Sequence, residues 1–121
     1  MALHESAEMY LETIHRLFQE KGCVRSIDVA QSLGYSKPSV SRAVGQLRLN
    51  GYLEMDAKGF LTLTDAGRAV AQKIFERHTV LSGMLVSLGV DAQIAAADAC
   101  RIEHVISDES FAAIKRHLEK A

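Results

Sequence analysis

Residues 26–50, SIDVAQSLGYSKPSVSRAVGQLRLN, contain two short helical patterns separated by one tight turn. We expect the first helix to begin at Ser26, whose hydroxyl would cap it. Pro38 suits the first position of the second helix, with Ser36 or Lys37 before it. Because a Gly-containing turn of a few residues joins the two patterns, the stretch predicts a helix-turn-helix.

Two alternating runs follow this stretch. Residues 52–55 and 60–63 alternate apolar with polar side chains, and a Gly-containing loop, 56–59, lies between them. Such a pair of runs predicts a β-hairpin. Thr64 comes directly after the second run, where its hydroxyl can cap the next helix.

A helical pattern also precedes the helix-turn-helix. Apolar residues recur at helical spacing over residues 6–21, and Ser6 is the expected cap. Helix, helix-turn-helix and hairpin in this order predict a winged helix, which we assign to residues 1–64.

The remaining residues, 65–121, predict three further helices, with expected ranges of 65–88, 92–106 and 107–120. The apolar stripe of the first of them extends to Leu88. A winged helix needs little beyond its hairpin, so these helices bury a separate apolar surface, for which a homodimer interface is the usual reason. The predicted fold class is therefore mainly α with a small β-hairpin: an N-terminal winged helix-turn-helix followed by a helical dimerisation domain.

Composition sets the broad class of protein. The 121-residue chain is 48% hydrophobic and 24% charged, which is ordinary for a soluble globular protein. It has no apolar run of membrane-spanning length, and its N-terminus does not resemble a signal peptide. Two cysteines, Cys23 and Cys100, do not make a disulfide framework. We expect a cytoplasmic protein with reduced thiols and no membrane partner.

Charge is distributed unevenly along the chain. The net charge is −1, but residues 21–68 hold seven basic and four acidic side chains, whereas residues 1–20 hold one basic and four acidic ones. Residues 69–121 hold six basic and seven acidic side chains. A basic middle third between acidic flanks is compatible with one module that faces DNA.

The N-terminal residues of the second helix of a helix-turn-helix contact base edges in the major groove. Arg42 can bond a guanine, Pro38 can contact a thymine methyl group, and Lys58 at the hairpin tip suits a phosphate. The candidate DNA-binding residues are Arg25, Ser26, Ser36, Lys37, Pro38, Ser39, Ser41, Arg42 and Lys58. The alternatives are an ordinary solvated surface or a winged helix that binds another protein.

Cys100, Glu103 and His104 lie at i, i+3 and i+4 of a predicted helix, so one face carries a thiol, a carboxylate and an imidazole. All three are ligand types for a transition metal. The alternative is that Cys100 is a small core residue and the other two are surface groups. A catalytic Cys–His pair is a further alternative, but the sequence contains no oxyanion-hole motif, so we expect neither an enzyme nor a small organic substrate.

Four segments resemble motifs of the diphtheria toxin repressor and manganese transport regulator family of metal-dependent repressors. The segments are EMYLETI at 8–14, PSVSR at 38–42, RH at 77–78 and ACRIEHVISDE at 99–109. The last is the most specific, because it contains the family's metal-binding helix. The resemblance covers nearly the whole chain, which is similar to the short members without an SH3-like domain.

The resemblance implies a set of metal ligands that no single position would indicate. Met9 alone would be interpreted as core packing, Glu12 as a solvated side chain, and His78 as a hydrogen-bonded core residue. Carried over by position, the metal ligands would be Met9, Glu12, His78, Cys100, Glu103 and His104. Residues 65–121 are then expected to bind metal as well as to dimerise.

The implied ligand set bears on the choice of metal. In this family, sulfur ligands at the positions of Met9 and Cys100 accompany iron sensing, whereas Glu12 resembles the manganese branch. Ser82 and Ala96 stand where the iron branch has a carboxylate and an imidazole in its ancillary site. Whether the chain binds one metal ion or two is therefore left open. We expect Fe²⁺ first and Mn²⁺ second, with Co²⁺, Ni²⁺ or Zn²⁺ as substitutes in vitro.

The resemblance implies a repressor that binds a palindromic operator in double-stranded DNA as a homodimer, with the metal as corepressor and genes of metal homeostasis as targets. The alternative from the residues is a winged-helix regulator that needs no metal. A related alternative is a regulator that senses thiol oxidation through Cys23 or Cys100.

Overall fold

The computed structural model describes residues 5–120 and contains six helices and one two-stranded sheet within that range. The helices and strands are α1 (Glu5–Lys21), α2 (Ser26–Leu33), α3 (Lys37–Leu49), β1 (Leu53–Met55), β2 (Leu61–Leu63), α4 (Asp65–Ser87), α5 (Ala92–Val105) and α6 (Asp108–Lys120). This order confirms the predicted winged helix-turn-helix followed by three helices. None of the described helices combines the length and hydropathy that a membrane span requires.

The chain forms two compact units, one up to Gln72 and one from Lys73. Helix α4 therefore contributes its first turns to one unit and the rest to the other. The functional division expected between residues 64 and 65 stays a prediction.

The first unit is built around one apolar core from α1, α2, α3 and the hairpin. Leu11 and Ile14 of α1 are almost completely buried, and burial of each such side chain contributes about 1.5–3 kcal/mol. The antiparallel strands pair Leu53 with Leu63, and both face this core. The amide of Leu61 also donates to the carbonyl of Val24 at 2.7 Å, which joins the hairpin to the segment before α2.

Two of the predicted helix caps were wrong. Ser26 is already the first residue of α2, and the cap position belongs to Arg25, whose backbone is extended. The backbone N–H of Arg25 donates to the carboxylate of Asp28 at 2.8 Å, so the third helical residue bonds back to the cap residue, as the acidic member of a capping box does. Glu5 is already helical, so Ser6 does not precede α1.

The turn between α2 and α3 is held by backbone hydrogen bonds. Gly34 has a φ of 71°, a left-handed conformation that glycine adopts without strain. The amides of Gly34 and Tyr35 donate to the carbonyl of Ala30 at 2.9 and 3.1 Å. The chain therefore leaves α2 in one defined direction.

Ser36 is the cap of α3, and its hydroxyl accepts a hydrogen bond from the amide of Ser39 at 3.3 Å. Lys37 is thus the first helical residue, and Pro38 occupies the second position instead of the expected first. Leu49, at the other end of α3, is 80% exposed and does not extend the buried face of that helix.

Thr64 caps α4 as predicted, because its Oγ1 accepts a hydrogen bond from the amide of Gly67 at 3.1 Å. A Cβ atom at Gly67 would lie 2.2 Å from the carbonyl oxygen of Tyr52. The close approach of α4 to the start of the hairpin therefore requires glycine at this position.

The second unit has a smaller core. Its buried centre consists of Leu81, Ala99 and Phe111. Partly buried apolar side chains pack against this centre: Val80, Met84, Ile102, Ile106 and Ile114. The expected stripe of α4 was wrong at its last member, since Leu88 lies beyond the helix and is 74% exposed. Gly89, with a φ of 100°, turns the chain there.

Candidate metal centre

Helix α5 places three candidate ligands on one face. One ligand atom each from Cys100, Glu103 and His104 lies within 4.8 Å of the others. Bonds between a transition metal and such atoms measure about 2.0–2.3 Å, so one cation can contact all three with small side-chain adjustments. Asp91 fixes the start of this helix by accepting a hydrogen bond from the amide of Gln93 at 3.1 Å.

Glu103 is the buried centre of this group. Its side chain has no solvent exposure, and its Oε2 lies 2.9 Å from Nδ1 of His78 on α4. Its Oε1 lies 3.4 Å from Nε2 of His104. A buried carboxylate costs free energy unless positive charge or hydrogen bonds compensate for it. Two imidazoles and a thiol around a buried carboxylate form an environment suited to a cation.

Arg77 holds the C-terminal end of α5 by hydrogen bonds. The sequence patterns did not identify this residue as part of the candidate site. It is 5% exposed, and its Nη1 donates to the carbonyls of Glu103 and Ile106 at 3.1 and 2.7 Å. Its Nη2 donates to Asp108 at the start of α6. The signal that could have revealed Arg77 is a cation beside the apolar stripe of α4, since a buried guanidinium needs several acceptors.

A second basic residue meets the same carboxylate. Lys73 Nζ lies 2.9 Å from Oδ1 of Asp108. The hydrogen bond and charge of Lys73, with a smaller contribution from Arg77, hold the pKa of Asp108 below its usual value. Asp108 therefore stays ionised and available to Arg77 near neutral pH.

Met9 and Glu12 lie one turn apart on α1, in the first unit, and both are half-buried. Oε2 of Glu12 is buried and has no hydrogen-bond partner within residues 5–120. An unpaired buried carboxylate oxygen is unfavourable, and a cation would satisfy it. The sulfur of Met9 accepts a hydrogen bond from the hydroxyl of Tyr35 at 3.8 Å. Their membership in one site with the α5 residues is a proposal, developed below.

The candidate DNA-binding residues surround the start of α3. Arg42 and Lys37 are exposed on that helix, and Lys58 is exposed in the hairpin turn. Ser36, Pro38 and Ser41 are also exposed, whereas Ser26 and Ser39 are partly buried. Arg25 stacks over the ring of Phe60, 4.3 Å from its centroid. Their contacts with DNA remain predictions.

The order of elements defines a class of protein: a winged helix followed by a second helical domain. Residues 2–60 match the family described as iron dependent repressor, N-terminal DNA binding domain. Residues 64–121 match the iron dependent repressor, metal binding and dimerisation domain. The chain belongs to the iron-dependent repressor family, and the resemblance noted in the sequence is confirmed.

The proteins similar to this chain include one named for iron and one named for manganese. Transcriptional regulator MntR of Escherichia coli is 35% identical over 116 residues, which cover 96% of this chain and 75% of that protein. Iron-dependent repressor IdeR of Mycobacterium tuberculosis is 34% identical over 119 residues, 98% of this chain and 50% of the relative. A manganese-dependent transcriptional repressor solved in complex with manganese has a TM-score of 0.84 and 31% identity, covering 93% of this chain and 52% of its own.

These relatives support a divalent metal for this chain without selecting the ion. They are transcriptional regulators, DNA-binding proteins rather than enzymes.

Proposed function

We propose that this protein represses transcription with a divalent metal as corepressor, Fe²⁺ first and Mn²⁺ second, and that it controls genes of metal homeostasis. The observation that carries the proposal is the buried Glu103 carboxylate, which lies between the imidazoles of His78 and His104 on the same helix face as the Cys100 thiol. The family membership supports the DNA-binding part.

Six side chains would hold the metal: Met9, Glu12, His78, Cys100, Glu103 and His104. When bound, the cation would compensate the charge of the buried Glu103 and supply the partner that Glu12 Oε2 lacks among the described residues. The donors comprise a thioether, a thiolate, two imidazoles and two carboxylates. Sulfur from Met9 and Cys100 favours Fe²⁺ over the harder Mn²⁺, whereas the two carboxylates keep Mn²⁺ as the second choice.

Helix α1 would link the metal to DNA recognition. Met9 and Glu12 flank Leu11, which is fully buried in the core that α1 shares with α2 and α3. A change in the position of α1 is therefore transmitted to α3 through close-packed side chains. Arg42 and its neighbours on α3 would contact base edges, and Arg25 and Lys58 would contact phosphates.

A homodimer on a palindromic operator agrees with the exposed apolar surface of the second unit. Phe75, Leu88, Ile94 and Val105 are 58%, 74%, 57% and 71% exposed, respectively. Exposed side chains of this size would gain free energy by burial between two copies of the chain. Two copies of α3 related by a twofold axis would then contact two half-sites of one operator.

The test is an anaerobic Co²⁺ titration followed by absorbance. Thiolate ligation produces an intense near-ultraviolet charge-transfer band, which we expect in the wild type and expect to be lost in Cys100→Ala. Cys23→Ala is the matched control, because Cys23 is an exposed free cysteine in the other unit. A band that persists in Cys100→Ala, or disappears in Cys23→Ala, would contradict the proposed ligand set.

A further inference from the structure

Tyr35 connects the turn before α3 to helix α1. Its hydroxyl donates to the sulfur of Met9 at 3.8 Å. Its ring lies edge-to-face against Tyr10, with centroids 6.0 Å apart and planes at 63°. Tyr35 is 43% exposed, so its side chain makes these two contacts while part of it remains open to solvent.

Both ends of this connection are held in place. On the turn side, the amide of Tyr35 donates to Ala30 at 3.1 Å, and the next residue, Ser36, is the cap of α3. On the α1 side, Tyr10 is 7% exposed.

The chemistry of a thioether permits a second contact. The sulfur has two lone pairs, and although it is a weak acceptor, one lone pair can receive the Tyr35 hydroxyl while the other is directed at a cation. Hydrogen bonds to the side chains that bind a metal orient those side chains and change metal affinity. A flexible Met side chain gains most from such a contact, because it has three rotatable bonds to fix.

We propose that Tyr35 is a positioning residue of the metal site: its hydroxyl fixes the Met9 sulfur and connects a metal ligand to the turn that precedes α3. This inference rests on the proposed function, since it requires Met9 to be a ligand. Metal binding at Met9 would then reach α3 by one side-chain contact in addition to the core of the first unit.

The first experiment measures the Co²⁺ affinity of the free protein by competition with a chromophoric chelator. Tyr35→Phe removes the hydroxyl but keeps the ring against Tyr10, and we expect about 3- to 10-fold weaker metal binding. Tyr52→Phe, which removes a hydroxyl elsewhere in the same unit, is expected to leave the affinity unchanged. Unchanged or tighter binding in Tyr35→Phe would overturn the inference.

A double-mutant cycle with Met9→Leu separates positioning from general structure. If Tyr35 acts through the sulfur, Tyr35→Phe has no further effect on Co²⁺ affinity in the Met9→Leu background. An equal effect in both backgrounds would overturn the inference and leave the proposed function intact. A Met9→Leu variant that binds Co²⁺ as tightly as the wild type would contradict the proposed ligand role of Met9 and this inference together.

The proposed connection from Met9 through Tyr35 to α3 is tested by a separate measurement. The ratio of Co²⁺ affinities with and without a duplex selected from a random-sequence pool measures the coupling between the two sites. We expect Tyr35→Phe to lower this ratio by about threefold or more, with Tyr52→Phe again as control. A ratio equal to that of the wild type would overturn the link.

Discussion

At the scale of single residues, Arg77 shows how a side chain outside the candidate ligand set can hold the helix that carries several of the candidates. The last carbonyls of a helix have no partner within the helix, and Arg77 donates to two carbonyls at the end of α5. One of them belongs to Glu103, the buried candidate ligand. The ring of Phe111 lies 5.6 Å from the guanidinium carbon. Arg77 thus joins the backbone that carries the candidate ligands of α5 to the start of α6.

We expect Arg77→Met to lower the free energy of unfolding by about 2–4 kcal/mol, because it leaves one buried and one partly buried carbonyl without their donor. Urea denaturation of the metal-free protein measures the change. Arg116→Met, at an exposed position on α6, is the matched control and should change stability by less than about 0.5 kcal/mol. Equal stabilities of the two variants would show that the Arg77 contacts contribute little.

At the scale of elements, the first turn of α2 depends on one carboxylate. Asp28 accepts a hydrogen bond from the Arg25 amide at 2.8 Å and another from Lys21 Nζ at 3.2 Å. The backbone bond from Arg25 is the largest influence, and with Lys21 it outweighs partial burial, so the pKa of Asp28 is lowered from its ordinary value of 3.8.

We expect Asp28→Ala to lower the free energy of unfolding by about 1 kcal/mol at pH 7. Because the folded pKa is lower than the unfolded one, the contribution of the charged carboxylate is fully present above pH 3.8 and is lost as the pH falls through the folded pKa. The difference between wild type and variant should therefore shrink in urea denaturation at pH values below the unfolded pKa. Asp28→Asn keeps an acceptor without the charge and serves as control. A difference that stays constant across this range would contradict the assignment.

At the scale of the whole molecule, the proposed function joins two binding events in one chain. If metal tightens DNA binding by some factor, DNA must tighten metal binding by the same factor. Typical coupling of this kind amounts to about 5- to 150-fold. The two factors can be measured independently, by fluorescence anisotropy of a labelled duplex and by metal competition.

We expect the two factors to agree within error for the wild type. Arg42→Ala should weaken DNA binding, because the exposed Arg42 is a candidate base contact, without changing the metal affinity of the free protein. DNA affinity that is the same with metal and with chelator would contradict the corepressor role. If DNA affinity did not depend on metal but was lost on oxidation, the alternative thiol-sensing regulator would be favoured.

The sequence by itself determined the order of elements and the local part of the candidate metal site. Turns and helix boundaries at Gly34, Pro38 and Thr64 follow from the conformations that these residues favour within a few positions of the chain. Cys100 and Glu103 share a face because helical geometry requires it. The predicted cap at Ser26 failed because the extended backbone that defines the cap position belongs to Arg25, although serine is the better capping residue. The predicted cap at Ser6 failed because Glu5 is already helical.

Only the tertiary structure decided the contacts between residues distant in the chain. His78 meets Glu103 across 25 positions, Arg77 meets the same residue across 26, and Tyr35 meets Met9 across 26. No local pattern specifies such pairs, because they form only when packed helices compensate the entropy of closing the intervening chain. The sequence therefore determined which side chains are available to a metal and to DNA, whereas packing decided which of them surround the buried carboxylate.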